Sequence, residues 1–290
     1  LAPGRMFIEN VFEELDAPKE WFLDRRSGTL YFLPPDGLDL SSACVEAVAL
    51  EHLFEFRGSE AAPVRHIALQ GLRLAHTRYT FMKTKAVPSG GDWRVYRGGA
   101  VLMEGTENCA VRDCVFDRIG GNGIFIKDYN RDAEAVGCEF FRTGASAILI
   151  EGHESTLRSR WAHSWGWPAD EVGEVPLVDG KAFDRISFAE LPPEMLDGRH
   201  PLVDMEPGPA NSNYPARCLI QDNWMRELGT VEKQIAGVFI SKAESIAVRH
   251  NTIHDVPRAA ININDGCWGG HAIEWNDIFD TSMATREHGA

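Results

Sequence analysis

The chain of 290 residues is long enough to bury a large core, and its 44% hydrophobic and 25% charged residues exclude a disordered or fibrous protein. Acidic residues outnumber basic ones by 43 to 29, a formal charge of −14 that disfavours nucleic acid and anionic lipid as partners. No apolar run is long enough to span a membrane, and Leu1-Ala2-Pro3-Gly4 lacks the basic and apolar regions of a signal peptide, so nothing in the sequence targets a membrane.

Residues 1–62 form a segment with its own texture. Glu20 to Pro35 holds two alternating runs joined at Ser27-Gly28 and stopped by prolines, which predicts a β-hairpin. Repeats begin after it, within 63–290, with a first full unit near Val64 to Leu74. Gly99–Glu104, Asn122–Lys127 and Ser146–Glu151 recur at offsets of 23 and 24, and Ala236–Ser241 and Ala259–Asn264 repeat the pattern. Each is followed by a short strand around Val111/Cys114/Phe116, Ala135/Cys138/Phe140, Ile220/Asn223/Met225, Val248/Asn251/Ile253 or Ile273/Asn276/Ile278, at spacings of 24, 85, 28 and 25. A unit of this size cannot bury its own apolar face, so it must stack on its copies. The Leu-x-x-Leu-x-Leu signature and recurring helix of a leucine-rich repeat are absent. The expected fold is all-β: a single-stranded right-handed parallel β-helix, a β-solenoid.

Stacking at about 4.8 Å per unit turns equivalent positions into columns. Cys114, Cys138, Asn223, Asn251 and Asn276 share one, whose last three members read as an amide ladder. A Cys114–Cys138 disulfide is not expected; the cysteines read as small core residues. Leu102, Phe125, Leu149, Phe239 and Asn262 form an outward column that something must cover. The 85-residue spacing marks residues 153–215, rich in Pro and Trp, as an insertion expected to fold over that column, with Trp161, Trp165 and Trp167 packing on it or forming a lid. Glu104, Lys127 and Glu151 read as a charge ladder of small stability value.

The stretch Phe7–Asp16, then Glu20-Trp21-Phe22-Leu23-Asp24-Arg25 and Gly28-Thr29-Leu30-Tyr31-Phe32, resembles the entry to the right-handed parallel β-helix proteins of bacterial glycan degradation, in the pectate-lyase-like superfamily. Lys233-Gln234 with the run to Ile240, His250-Asn251 to Asp255, and Asp265 to Trp268 and His271 are similar to β-helix glycoside hydrolases that attack fucosylated or xylan-type plant-wall glycans. The resemblance covers most of the chain outside the insertion and implies an extracellular or periplasmic carbohydrate-active protein. Pectin lyases, hydrolases, epimerases and phage tailspikes share the architecture, so the resemblance speaks to fold more than to substrate. Relatives carry Asp where this chain has Glu287, before His288, and continue into an Asn-Ser-Trp-Gly-Arg-Asp segment. The chain starts without Met and stops at His288-Gly289-Ala290 just after a strand-like stretch with no capping element, so both ends are expected to be truncated.

Glycosidic hydrolysis needs one protonated and one ionised carboxyl group across the scissile bond. Asp265, Asp255 and Glu287 are the candidates for acid and base. Asp265 reads equally as a turn cap or a partner of Lys242, and Asp255 and Asp280 as a solvated turn face or a coupled pair. Asn262 and Asn264, which folding does not require to be amides, are candidates for sugar hydroxyls, with Lys233, Gln234, Trp268, His271 and His288 completing a glycan cleft. His250 and His254 flank a turn, which argues against zinc. No cofactor is expected for a hydrolase; a polysaccharide lyase, the first alternative, would add Ca2+ and use Lys233 or Arg258 near Asp255 and Asp265. A non-catalytic carbohydrate-binding or structural fragment is the second. Sugar, linkage, stereochemistry and oligomeric state are not fixed by the sequence.

Overall fold

The computed structural model describes residues 9–86, 93–158, 207–264 and 268–284, with the short strands Leu177–Val178 and Lys181–Ala182. It forms two compact units, Leu1–Ala47 and Val48–Ala290. In the first, strands Trp21–Asp24 and Thr29–Phe32 pair antiparallel with Trp21 opposite Phe32. The turn is held by Asp24, which accepts from the Arg26 N–H at 2.9 Å and the Ser27 hydroxyl at 2.7 Å, and by Gly28 at φ +70°. Phe12, from the 3-10 turn Phe12–Glu14, meets the rings of Phe22 and Tyr31 edge-on at 5.3 and 5.2 Å.

The second unit is all-β and built on three parallel sheets. The first holds Phe54–Arg57, Val101–Glu107, Ile124–Arg131, Ile148–Glu151, Ala236–Ser241 and Ala259–Ile263 in stacking order. The second holds Ala68–Gln70, Ala110–Arg112, Glu134–Val136, Leu219–Gln221, Ala247–Arg249 and Ala272–Glu274. The third holds Arg73–Ala75, Val115–Asp117, Glu139–Phe141, Trp224–Arg226, Thr252–Ile253 and Asp277–Ile278. The chain visits first, second and third sheet in turn and then returns to the first; each such circuit is called a tier below. This arrangement is compatible with the expected β-helix. Pairing begins at Phe54, ahead of the expected start at 63.

Three columns of left-handed backbone make the corners between sheets. Asn108, Asp132, Arg217 and Ser245 have φ of 52–56°, as do Asp113, Asp222 and His250 at 51–55°, and Arg118, Arg142, Glu227 and Asp255 at 52–56°. Such conformations disfavour side chains other than Gly, Asn and Asp. Here the tier-to-tier hydrogen bonds offset the cost: the N–H of Asn108 donates to Arg131 O at 3.0 Å and that of Asp113 to Val136 O at 3.0 Å.

Inward residues fill the space between the sheets. Ile124, Ile148 and Val238 lie on successive tiers, and Phe116 stacks on Phe140 at 4.5 Å. The amide ladder is present. Asn251 Oδ1 accepts from the Asn223 N–H at 3.0 Å and Nδ2 at 2.9 Å; Asn276 Oδ1 does the same for Asn251 at 3.0 and 2.9 Å. The Nδ2 groups of Asn223, Asn251 and Asn276 also donate to Ala135, Ile220 and Val248 carbonyls, so each of the three side-chain amide nitrogens has a backbone partner. Cys114 and Cys138 are buried free thiols on the same column, and burial pushes the Cys138 thiol up to about 12.

The outward apolar column also exists: Phe125 pairs with Leu102 and Leu149, and Leu149 with Phe239. The described residues packed on it are Ala86, Trp93 and Val95, from a short antiparallel excursion after the first tier. Trp161, Trp165, Trp167 and most of the 153–215 insertion expected there lie outside the described residues.

Two outcomes test this packing. Asn251→Ala orphans groups on both neighbouring tiers and is expected to cost about 2–4 kcal/mol in chemical denaturation, more than Asn276→Ala at the stack end. Alkylation of the native protein should label exposed Cys44 well before Cys109, Cys114, Cys138 and Cys218, which react only on unfolding.

Candidate functional site

The outward face of the first sheet carries the features that packing alone does not require. Over the apolar column, Trp93 meets Phe239 at 5.5 Å, and the Arg258 guanidinium lies 4.1 Å above the Trp93 ring. On the next tier the column continues into Asn262, paired with Phe239. Asn262 Oδ1 is buried and, among the described residues, accepts no hydrogen bond. An orphaned buried acceptor costs free energy that a ligand donor would recover.

Beside this column lies a buried ion cluster. Arg97 donates to Glu151 Oε2 at 2.7 Å and to Asp128 Oδ1 at 2.6 Å, and Lys242 donates to Glu151 Oε1 at 2.8 Å. Glu151 is fully enclosed. Burial opposes its ionisation, but the Lys242 and Arg97 charges outweigh that and hold its carboxyl below the ordinary range. An ionised, doubly paired carboxylate of this kind orients its neighbours and cannot act as a proton donor at neutral pH. The expected surface ladder thus holds only for Glu104, which pairs with Arg57 at 2.8 Å and Lys127 at 3.3 Å. Glu151 departs from it because Arg97, carried on the covering excursion, seals it from water. Asp265, the expected partner of Lys242, lies outside the described residues.

The candidate residues fall into three groups. Lys233, Gln234 and Asp255 belong to the corner between the third and first sheets. The Lys233 ammonium donates to Gly229 O at 2.6 Å and Thr230 O at 3.3 Å, and burial lowers its pKa. Asp255 is exposed and accepts from the His254 Nδ1–H at 2.8 Å. That tautomer is fixed because Trp224 Nε1–H, which can only donate, donates to His254 Nε2 at 2.9 Å. Asn262 and Asn264 occupy the sheet face. Trp268 and His271 lie at the corner between the first and second sheets, where Trp268 packs on Tyr214 at 4.5 Å. The strand Ala259–Ile263, about 16 Å long at the usual rise, separates Asp255 from Trp268.

His271 differs from its expected role. It falls level with Ile246, in the inward column of Cys109, Ala133 and Cys218, and its Nδ1 accepts the Ile246 N–H at 3.1 Å. Its Nε2 is buried with no partner among the described residues, and burial lowers its pKa. The ring therefore serves the stack, as the asparagines do. Asp265, Glu287 and His288 lie outside the described residues.

Sequence reasoning missed Arg97, Asp128 and Glu232. Glu232 is buried, accepts from Thr80 Oγ1 at 3.2 Å and pairs with Lys85. Near it a small pocket is lined by Trp93, Tyr96, Asn122, Ser146, Glu232 and Gln234, with room for about one water. A sugar ring does not fit there. Among the described residues no three His, Cys, Asp or Glu side chains gather as a metal site.

Glu151→Gln strands two buried cations and is expected to cost about 3–5 kcal/mol in chemical denaturation, against less than about 1 kcal/mol for Glu104→Gln. Because the folded pKa of His271 lies below its ordinary 6.5, the unfolded chain takes up the proton first as pH falls. Stability contributed by the neutral ring is present above 6.5 and lost below it. His271→Asn, which keeps an acceptor, should lose less melting temperature than the parent between about pH 7.5 and about pH 5.5.

No family model and no curated protein matches the chain. Among solved structures, one described as a glycoside hydrolase superposes with a TM-score of 0.58 at 18% identity, over 90% of this chain and 41% of that one. The chain thus spans less than half the length of that structure, and what the likeness shows is a common fold.

Proposed function

We propose that the second unit is a right-handed, single-stranded parallel β-helix of the pectate-lyase-like kind and that the protein is a glycoside hydrolase acting on a plant or algal polysaccharide outside the cytoplasm. The observation that carries the reading is Asn262: an apolar outward column gives way to an amide whose buried oxygen lacks a donor among the described residues, and a sugar hydroxyl would supply one. The shared fold with a structure described as a glycoside hydrolase supports it. Asn264 extends the polar strip, and Trp268, backed by the buried ring of Tyr214, borders it with aromatic surface suited to sugar C–H faces. Lys233 and Gln234 edge the strip from the opposite corner.

In this reading two carboxyl groups among Asp265, Glu287 and Asp255 divide the roles of acid and base or nucleophile. Asp265 follows directly on the Asn262/Asn264 strip, which favours it for the acid. Asp255, tied to His254 at the opposite corner, is better placed for positioning than for proton donation. His288 would accompany Glu287.

The test is reducing-end release by the natural full-length protein from a panel of plant-wall and algal polysaccharides, with Asp265→Asn, Glu287→Gln, Asp255→Asn and Asn262→Ala. Loss of at least ~100-fold for two of the carboxylate variants, with a several-fold rise in KM for Asn262→Ala, supports the hydrolase. Ca2+-dependent formation of unsaturated products moves the protein to the lyases. Absence of any cleavage by a folded protein contradicts an enzymatic reading.

A further inference from the structure

The corner column between the third and first sheets changes sign along the stack, from Arg118 and Arg142 to Glu227, Asp255 and Asp280. At its basic end Asp117, wholly buried, receives three guanidinium groups: Arg73 at 2.5 Å, Arg118 at 2.7 Å and Arg142 at 3.0 Å. One carboxylate against three cations leaves a positive excess, in a chain whose net charge is −14. The three side chains are 62%, 47% and 42% exposed, and among the described residues each donates to Asp117 through Nη2 alone. Arg142 Nε is buried with no partner. Asp117 thus gathers the arginines without using up their donors.

The cluster runs on into aromatic surface. Arg142 lies 4.5 Å from the Phe141 ring centre, Arg226 lies 4.7 Å from it, and Arg226 is 4.6 Å from that of Trp224. Arg226 is balanced by Glu139 at 2.8 Å and Glu227 at 2.6 Å, so the excess charge stays with the trio around Asp117. Trp224 is 45% exposed, and its hydrogen bond to His254 fixes the indole.

We propose that this outer face of the third sheet binds an acidic glycan, the Arg73–Arg118–Arg142 cluster taking a carboxylate or sulfate substituent and Trp224 stacking on a sugar ring roughly 10 Å along the chain. The identification of the ligand as a glycan rests on the function proposed above; the anion preference rests on the arginines. The strongly negative protein as a whole repels a densely charged nucleic acid, whereas a spaced anionic substituent meets only the local excess.

The experiment is calorimetric titration of the full-length protein with an oligogalacturonate, a sulfated galactan oligosaccharide, a neutral xylo-oligosaccharide of equal length, inorganic sulfate and an oligonucleotide. At least one acidic glycan should bind at least ~10-fold more tightly than the neutral one, and the margin should shrink with salt. Which of the two it is tells carboxylate from sulfate. Arg118→Gln with Arg142→Gln should abolish the preference, and Trp224→Ala should weaken binding of the glycans but not of sulfate. Equal affinity for neutral and acidic glycans overturns the proposal, as does sulfate binding as well as the glycans or the oligonucleotide binding more tightly than either. An acidic preference in a protein that cleaves nothing removes the hydrolase reading and leaves this surface standing; cleavage without the preference does the reverse.

Discussion

Among the described residues the strands of successive tiers pair in register, apart from one shift between Lys127 and Asn130, and this constraint governs which residues each position accepts. A position in a column meets its own equivalents about 4.8 Å away, so its side chain must be compatible with itself. Branched apolar residues satisfy this inside, as Ile124, Ile148 and Val238 do. Amides satisfy it because one end donates and the other accepts, which explains the run Asn223, Asn251, Asn276. Charges do not, so they alternate, as Arg57, Glu104 and Lys127 do, or converge from several columns on one opposite charge. The arginines around Asp117 and the cations around Glu151 are the two forms of that last solution.

The same constraint explains what was legible in the sequence. Stacking displays equivalent residues at nearly fixed spacing, so the periodicity of the apolar segments was enough to align Leu102, Phe125, Leu149, Phe239 and Asn262 before any pairing was known. The asparagine ladder followed from one column. The Glu20–Pro35 hairpin was readable because alternation and a Ser27-Gly28 turn are local signals.

What was not legible depends on residues outside the repeat. The excursion carrying Trp93 and Arg97 lies outside the repeat, so nothing in the pattern connected it with Phe239 or with Glu151, 54 residues away from Arg97. Glu151 therefore read as one more surface charge. His271 was within reach: aligned with Cys109, Ala133, Cys218 and Ile246, it belongs to an inward column, and its place beside Trp268 suggested a cleft edge instead. At the third corner the change of sign was visible, but Asp117 lies one position before it and only its burial shows why the arginines gather. Of the candidate catalytic carboxylates, Asp255 alone falls among the described residues, at the corner that leads into the strand carrying Asn262.

In-register stacking across the 153–215 insertion is the claim on which all the column readings rest, and it is open to a direct chemical test. Val136 and Gln221 are neighbours across adjacent strands although 85 positions apart. Their Cα atoms stand about one inter-strand spacing apart, within disulfide reach. Val136→Cys with Gln221→Cys should cross-link under mild oxidation, whereas Val136→Cys with Leu219→Cys, displaced by two positions, should not. Cross-linking of the displaced pair in preference to the registered one would contradict the stacking, and with it every column derived from the repeat.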